Sequence, residues 1–226
     1  MTPRTPATRT PTADVEAAIL DAAARLLEEQ GPQALTIRAV ATAAGVAPMT
    51  IYNRVDGKGG VLDALFTRGF DRLAVIAGSV DPSGPVPPLE QLRASADAYR
   101  AFALHDPGTY ALMFDRPVLD FEASPSALES AGHAFSRLVD SVSAVQAAGG
   151  IVDGDPVDLA QRFWATMHGA VSLERHGICF AADPDAHYAG LVDTLLRGLD
   201  PQGGVPGGGA SPTRRRARRG APAPRG

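Results

Sequence analysis

Apolar positions recur along the chain at intervals of three and four, and no convincing run alternates with a period of two. This predicts an all-α protein of about nine helices. The first runs from Thr12, with Val15, Ile19, Ala23, Leu26 and Leu27 on one face, Asp14 and Glu16 in its first turn and Gly31 at its stop. A short second helix starts from Thr36 as its N-cap and ends at Ala44, before Gly45. The third begins at Pro48, whose fixed φ suits the first helical position, and ends near Val55. A fourth, from about Gly60 to Gly78, carries Leu62, Leu65, Phe66, Leu73 and Ile76. The helical period resumes at 89–104, 108–114, 124–148, 156–177 and 184–199.

Punctuation and charge divide the chain. The strongest internal break, Asp81-Pro82-Ser83-Gly84-Pro85-Val86-Pro87-Pro88, reads as a linker between a module at 13–80 and a larger one at 89–200. Residues 1–12 and 201–226 hold Arg4, Arg9 and six further arginines, no acids, and eight of the 19 prolines. Both tails read as disordered basic segments; phosphate contact is the functional alternative for the C-terminal one. The formal charge of −4 therefore hides an acidic body: 13–80 holds six bases and eight acids, and 81–200 holds seven bases and 17 acids. One cysteine, Cys179, gives no disulfide framework and no paired-cysteine metal site. With no apolar stretch of membrane-spanning length and no apolar signal core, a cytoplasmic protein is expected.

Residues 35–58 hold the most informative pattern. Two short helices meet at Gly45, and small Ala41 and Ala44 permit close approach. Val40, Val46, Ile51 and Val55 can face inward, which turns Met49, Thr50, Asn53 and Arg54 outward together. Such a helix can enter a DNA major groove: Asn53 suits adenine, Arg54 guanine or a phosphate, and Thr50 or Met49 a thymine methyl. On spacing alone, a solvated face of a small bundle explains the pattern equally well.

Ile19, Ala22, Ala23, Gly31, Leu35, Thr36, Val40, Ala41, Ala44, Gly45, Val46, Thr50, Tyr52, Lys58 and Leu62 lie at matching spacings over residues 14–76. On these anchors the sequence resembles the tetracycline-repressor (TetR/AcrR) family of transcriptional regulators. The resemblance implies that Thr36, Thr50, Tyr52 and Lys58, the only lysine, hold the phosphate backbone. It further implies that Arg38, Pro48, Met49, Asn53 and Arg54 read bases. Three positions depart from the family. Ala47 lacks the usual hydroxyl cap, a deficit of roughly 0.5–2 kcal/mol. Val55 replaces a common aromatic, and Gly57-Lys58-Gly59-Gly60 is expected to loosen the start of the fourth helix.

The second module holds most of the aromatic and methionine side chains. Tyr99, Phe102, Tyr110, Met113, Phe114, Phe163, Trp164, Met167 and His168 read either as ordinary core or as the wall of a ligand cavity between helices. Trp164 and His168, four apart, share a helix face, and His168 is either a polar anchor for a ligand or a core histidine satisfied by backbone. Trp164-Ala-Thr-Met-His168-Gly169, with His105-Asp106-Pro107, Tyr110 and Phe114, resembles the Trp-His-Gly type of regulatory domain found in the same family. The last helix repeats Leu191, Val192, Leu195, Leu196 and Leu199, a stripe wide enough for its own core and a partner. In the family the last two helices pair with those of a second subunit.

These readings converge on a homodimeric, ligand-responsive DNA-binding regulator, a repressor in its expected sign. Its partners would be double-stranded DNA carrying an inverted repeat and an unidentified small-molecule effector. Recognition helices about 34–36 Å apart would meet successive major grooves. The expectation is of no enzyme, cofactor or metal site, because no nucleophile elbow, phosphate loop or metal-ligand spacing occurs. A nonspecific architectural DNA binder and a helical enzyme with a vestigial helix-turn-helix are the rivals.

Overall fold

A computed structural model describes residues 12–116, 118 and 121–202, and the basic tails expected at 1–12 and 201–226 lie almost wholly outside them. Nine α-helices follow one another among the described residues, with no strand. They are α1 (Thr12–Gln30), α2 (Ile37–Ala44), α3 (Pro48–Val55), α4 (Gly57–Ala77), α5 (Pro88–His105), α6 (Pro107–Phe114), α7 (Pro125–Ala147), α8 (Pro156–Arg175) and α9 (Pro184–Gly198). Prolines open α3, α5 to α9 and the 3₁₀ turn Pro32–Ala34, each where the missing N–H would have had no partner anyway. Side-chain caps from Thr36, Ser124, Asp155 and Asp183 fix four helix starts. No described helix is long and apolar enough to cross a membrane.

The apolar side chains collect in two cores. Ile19, Leu27, Leu35, Val40, Ile51, Val61, Leu62 and Leu65 build the N-terminal one from α1 to α4. Phe66, Phe70 and Leu73 begin the other, which continues through α5 to α9. The border between the cores thus falls inside α4, between Leu65 and Phe66, well before the expected linker at 81–88. That linker is itself pinned. Gln91 Nε2 donates to the carbonyls of Asp81 and Val86 at 2.8 and 2.7 Å, and its Oε1 accepts from the Asp81 N–H at 2.7 Å.

The apolar stripe of α9 does not form an exposed seam. Val192, Leu196 and Leu199 are buried in the chain's own core, Leu195 packs half-buried against it, and Leu191 is half-buried. The helix is held in that orientation by Tyr188, whose hydroxyl donates to the Ala96 carbonyl at 2.7 Å. Arg100 reinforces it, reaching Glu174 of α8 and Asp185 of α9 at 2.7 and 2.6 Å. What α8 and α9 expose instead is mixed: Ala165, Gly169, Ala186, Ala189 and Gly190 are small, Val157 and Leu173 are apolar, and Asp158, Gln161, Arg162, Asp185, His187, Thr194 and Arg197 are polar or charged, with Ile178 and Phe180 exposed in the loop between the helices.

The two cores are joined by more than α4. Glu28, near the end of α1, accepts from the backbone N–H groups of Gly108 and Thr109 at 2.7 and 2.8 Å and from the Thr109 hydroxyl at 2.7 Å. A carboxylate is thereby placed on the free N–H groups of α6, where the helix dipole favours it. Gly108 permits this approach, since a Cβ there would lie 2.7 Å from the Leu27 carbonyl oxygen. Leu112 of the same helix enters the N-terminal core. Glu28→Ala is expected to lower unfolding free energy by about 1–2 kcal/mol in a denaturant titration, because three donors lose a charged acceptor; an unchanged midpoint would contradict this.

Candidate functional site

The candidate DNA-facing surface is built from backbone geometry upward. Thr36 Oγ1 accepts from the Ala39 N–H at 3.2 Å, which starts α2 and leaves the exposed hydroxyl proton for an outside acceptor. Gly45 then adopts φ 67°, where a side chain would be strained, and the Val46 N–H closes on the Ala41 carbonyl at 3.0 Å. Ala47 provides no side-chain cap to α3, as its side chain dictates; only its carbonyl takes part, accepting from Thr50 at 2.8 Å.

Ile51 and Val55 face the N-terminal core, one turn apart. Their burial turns the rest of α3 outward: Pro48, Asn53 and Arg54 are exposed, Met49 and Tyr52 are 64% and 55% exposed, and Thr50 is half-buried. Arg38 and Lys58 are exposed on the flanking helices. Among the described residues, Arg38, Arg54 and Lys58 have no carboxylate within ion-pair distance. All nine residues singled out from the sequence thus belong to α2, α3, the first turn of α4 or a cap, and all but Thr50 are exposed.

The glycines after α3 act differently from the expectation. Helix α4 already begins at Gly57, following Asp56 and Gly57 at φ 53° and 70°. The Tyr52 ring covers Gly57, 3.1 Å from where a Cβ would be, and at Gly60 a Cβ would fall 1.7 Å from the Val55 carbonyl oxygen. The glycine run therefore permits α4 to seat directly under the end of α3.

The second feature is a cavity of about 190 Å³ between helices of the larger core. Helix α4 contributes Phe70, Leu73, Ile76 and Ala77 to its wall, and α8 contributes Trp164 and Met167. Ser95 and Tyr99 of α5, Phe114 of α6, and Ala131, Ala134, Phe135 and Leu138 of α7 complete it. Of the nine side chains expected around a ligand, Tyr99, Phe114, Trp164 and Met167 are there. Five are not. Met113 packs on α4 at Gly69, Phe102 lies under the Arg72 guanidinium, and Phe163 is buried in the core a turn before Met167. Tyr110 and His168 sit behind the wall. The sequence pattern does not announce the contributions of α4 and α7; the one available signal is the stripe Phe70, Leu73, Ala77, which continues α4 beyond what the N-terminal core uses.

His168 is satisfied by side chains. Its Nδ1 lies 2.9 Å from the Tyr99 hydroxyl and 2.8 Å from that of Tyr110, and the two hydroxyls are 3.0 Å apart. Burial pushes the His168 pKa down against a smaller opposing effect of Asp115, and burial pushes both tyrosines up, so the cluster is neutral near pH 7. Arg175 stacks over Tyr110 at 4.5 Å, its Nη atoms donating to the Ala103 and Pro107 carbonyls at 2.8 and 3.0 Å.

An all-helical chain with a helix-turn-helix at one end, an apolar cavity at the other and one helix entering both is a DNA-binding regulator. The chain belongs to the TetR family. Residues 19–65 match the family model described as bacterial regulatory proteins, tetR family, and residues 92–195 that of the tetracyclin repressor-like C-terminal domain. An uncharacterised HTH-type transcriptional regulator of Mycobacterium tuberculosis is 28% identical over 182 residues, 80% of each chain. A protein of unknown function from Rhodococcus sp. RHA1 is 28% identical, with a TM-score of 0.72 over 87% of this chain and 100% of that one. The TetR family regulator PfmR of Thermus thermophilus shares the fold at 18% identity, with a TM-score of 0.59 over 80% of this chain and 98% of its own.

Two outcomes are expected. Gly60→Ala should cost about 1–3 kcal/mol in equilibrium unfolding, since the added methyl meets a backbone carbonyl; wild-type stability would show that α3 and α4 are not so closely seated. Because the folded pKa of His168 lies below its unfolded value of about 6.5, its contribution to stability is complete above that pH and lost as pH falls toward the folded value. His168→Phe should flatten that acid limb of the stability–pH profile.

Proposed function

We propose that the protein is a homodimeric repressor that leaves an inverted-repeat operator when a small molecule occupies the cavity. The observation that carries this reading is the course of α4. Its first half holds Val61, Leu62 and Leu65 in the core beneath α3, and its second half presents Phe70, Leu73, Ile76 and Ala77 to the cavity. A guest that displaces the second half tilts the first, and with it the groove-reading helix. Release requires the guest to bind the displaced arrangement better, with a coupling of roughly 1–3 kcal/mol.

Thr36, Thr50, Tyr52 and Lys58 hold phosphates, and Arg38, Pro48, Met49, Asn53 and Arg54 face the bases. The second copy docks on α8 and α9, where exposed Ala165, Gly169, Ala186, Ala189 and Gly190 permit close approach at intervals between polar side chains, with Leu191 and Leu195 at the margin. The protein acts in the cytoplasm, where its DNA is, and catalyses no reaction of its own.

Selecting bound sequences from a random DNA pool with the purified protein tests this. An inverted repeat is expected. Arg38→Ala and Asn53→Ala should each cost about 1–3 kcal/mol on the selected site and relax the preference at their own position, whereas Lys58→Ala should weaken binding to every sequence and reduce the salt dependence by about one phosphate contact. Enrichment of no sequence, or Asn53→Ala binding the selected site as wild type does, would refute specific readout.

A further inference from the structure

We infer that the cavity takes an uncharged, compact aromatic molecule of one or two rings. This rests on reading the cavity as the effector site and narrows the chemistry of the effector. Among the described residues, no acidic, basic or histidine side chain lines the cavity. Of its polar side chains, Ser95 spends its hydroxyl on the Leu92 carbonyl at 2.7 Å, and Tyr99 spends its own on Tyr110 and His168. Trp164 adds only an uncharged indole N–H, itself in hydrogen-bonding relation to the Tyr99 hydroxyl. Arg175 does not line the cavity; its two Nη atoms are held by the Ala103 and Pro107 carbonyls, and its buried Nε, without a partner among the described residues, lies over Tyr110 behind the wall. A carboxylate or phosphate entering here would give up its hydration and meet no cation in return.

Size and wall chemistry narrow the guest further. An engineered cavity of about 150 Å³ lined by aliphatic and aromatic side chains admits benzene, so about 190 Å³ suits one substituted ring or two fused ones. Phe114 and Phe135 stand tilted to Trp164 with centroids 6.2 and 6.1 Å away, and Phe70 meets Phe114 edge-on at 5.5 Å. Faces and edges of several rings are therefore available together, the arrangement another ring complements best. A rigid ring also loses little rotamer freedom on entry.

Trp164 is the only tryptophan of the chain and lines the cavity, so its emission reports occupancy without a label. The full chain would be titrated with toluene and, separately, with 4-methylbenzoate, the same ring carrying a charge. Toluene is expected to change Trp164 emission saturably, with 4-methylbenzoate binding at least about tenfold more weakly. Ala134→Leu, which fills the cavity, should abolish the toluene response; should that variant fail to fold, Ala77→Leu is read in its place. A preference below about tenfold, no saturable response to toluene, or an undiminished response in a folded filled variant overturns the inference. Operator binding followed in the same titrations separates it from the repressor reading. Toluene bound without DNA release counts against release and leaves the ligand class standing, whereas release by 4-methylbenzoate alone does the reverse.

Discussion

One 21-residue helix has to bury two different apolar stretches, and the rest of the molecule is arranged around that constraint. At 1.5 Å per residue α4 is about 30 Å long. No single small core covers such a length, so Val61, Leu62 and Leu65 are buried by α1 to α3, and Phe66, Phe70 and Leu73 by α5 to α8. A helix packed at both ends cannot bend cheaply between them, because breaking its backbone hydrogen bonds would strand buried polar groups. It moves as a rod. Two glycines set how closely the rod is held: Gly60 under the end of α3 and Gly69 against Met113 of α6, where a Cβ would lie 2.4 Å from the sulfur.

Electrostatics are divided along the same rod. The acidic excess lies in the larger module and much of it is used structurally: Asp106 pairs with Arg72, Glu174 and Asp185 with Arg100, and Asp193 with Arg93. The exposed face of α2, α3 and the start of α4 has few charges, and its cations lack intramolecular partners among the described residues. A net charge of −4 is thus compatible with DNA binding, since phosphate attraction decays within about 10 Å at ordinary ionic strength and responds to the local surface rather than the total.

The parts legible in the sequence are those set by local backbone chemistry. Thr36 as a cap, Gly45 in the left-handed region and Pro48 at a helix start each act within four residues, so the helix-turn-helix and its outward face follow from spacing. The cavity is only half legible, because an aromatic residue announces burial without saying which neighbour it meets. Tyr110 and Met113 face His168 and Gly69 instead of the cavity. Conversely Ala131 and Ala134 line it while looking in sequence like any helix-forming residue. The α9 stripe is half legible for a related reason: its own core takes Val192, Leu196 and Leu199, but amphipathic period fixes which side of a helix is apolar, not whether one subunit or two will cover it. Likewise the glycines at 57–60 read as looseness from propensity alone, and only the left-handed turn at Asp56 and Gly57 brings the Val55 carbonyl onto Gly60.

Helix α6 adds a second route between the modules. Within eight residues it offers Gly108 and Thr109 to Glu28 of α1, Tyr110 to His168, Leu112 to the N-terminal core and Phe114 to the cavity. Being short, it has no free interior turn to absorb a displacement. A shift of Phe114 at one end must move Leu112 within the other core or stretch the charge-assisted contacts of Glu28, so α6 and α4 form two struts fixed to both bodies. Two struts constrain the relative rotation of the modules as one cannot. Contacts at both ends of both helices therefore fix the direction in which one module can tilt on the other.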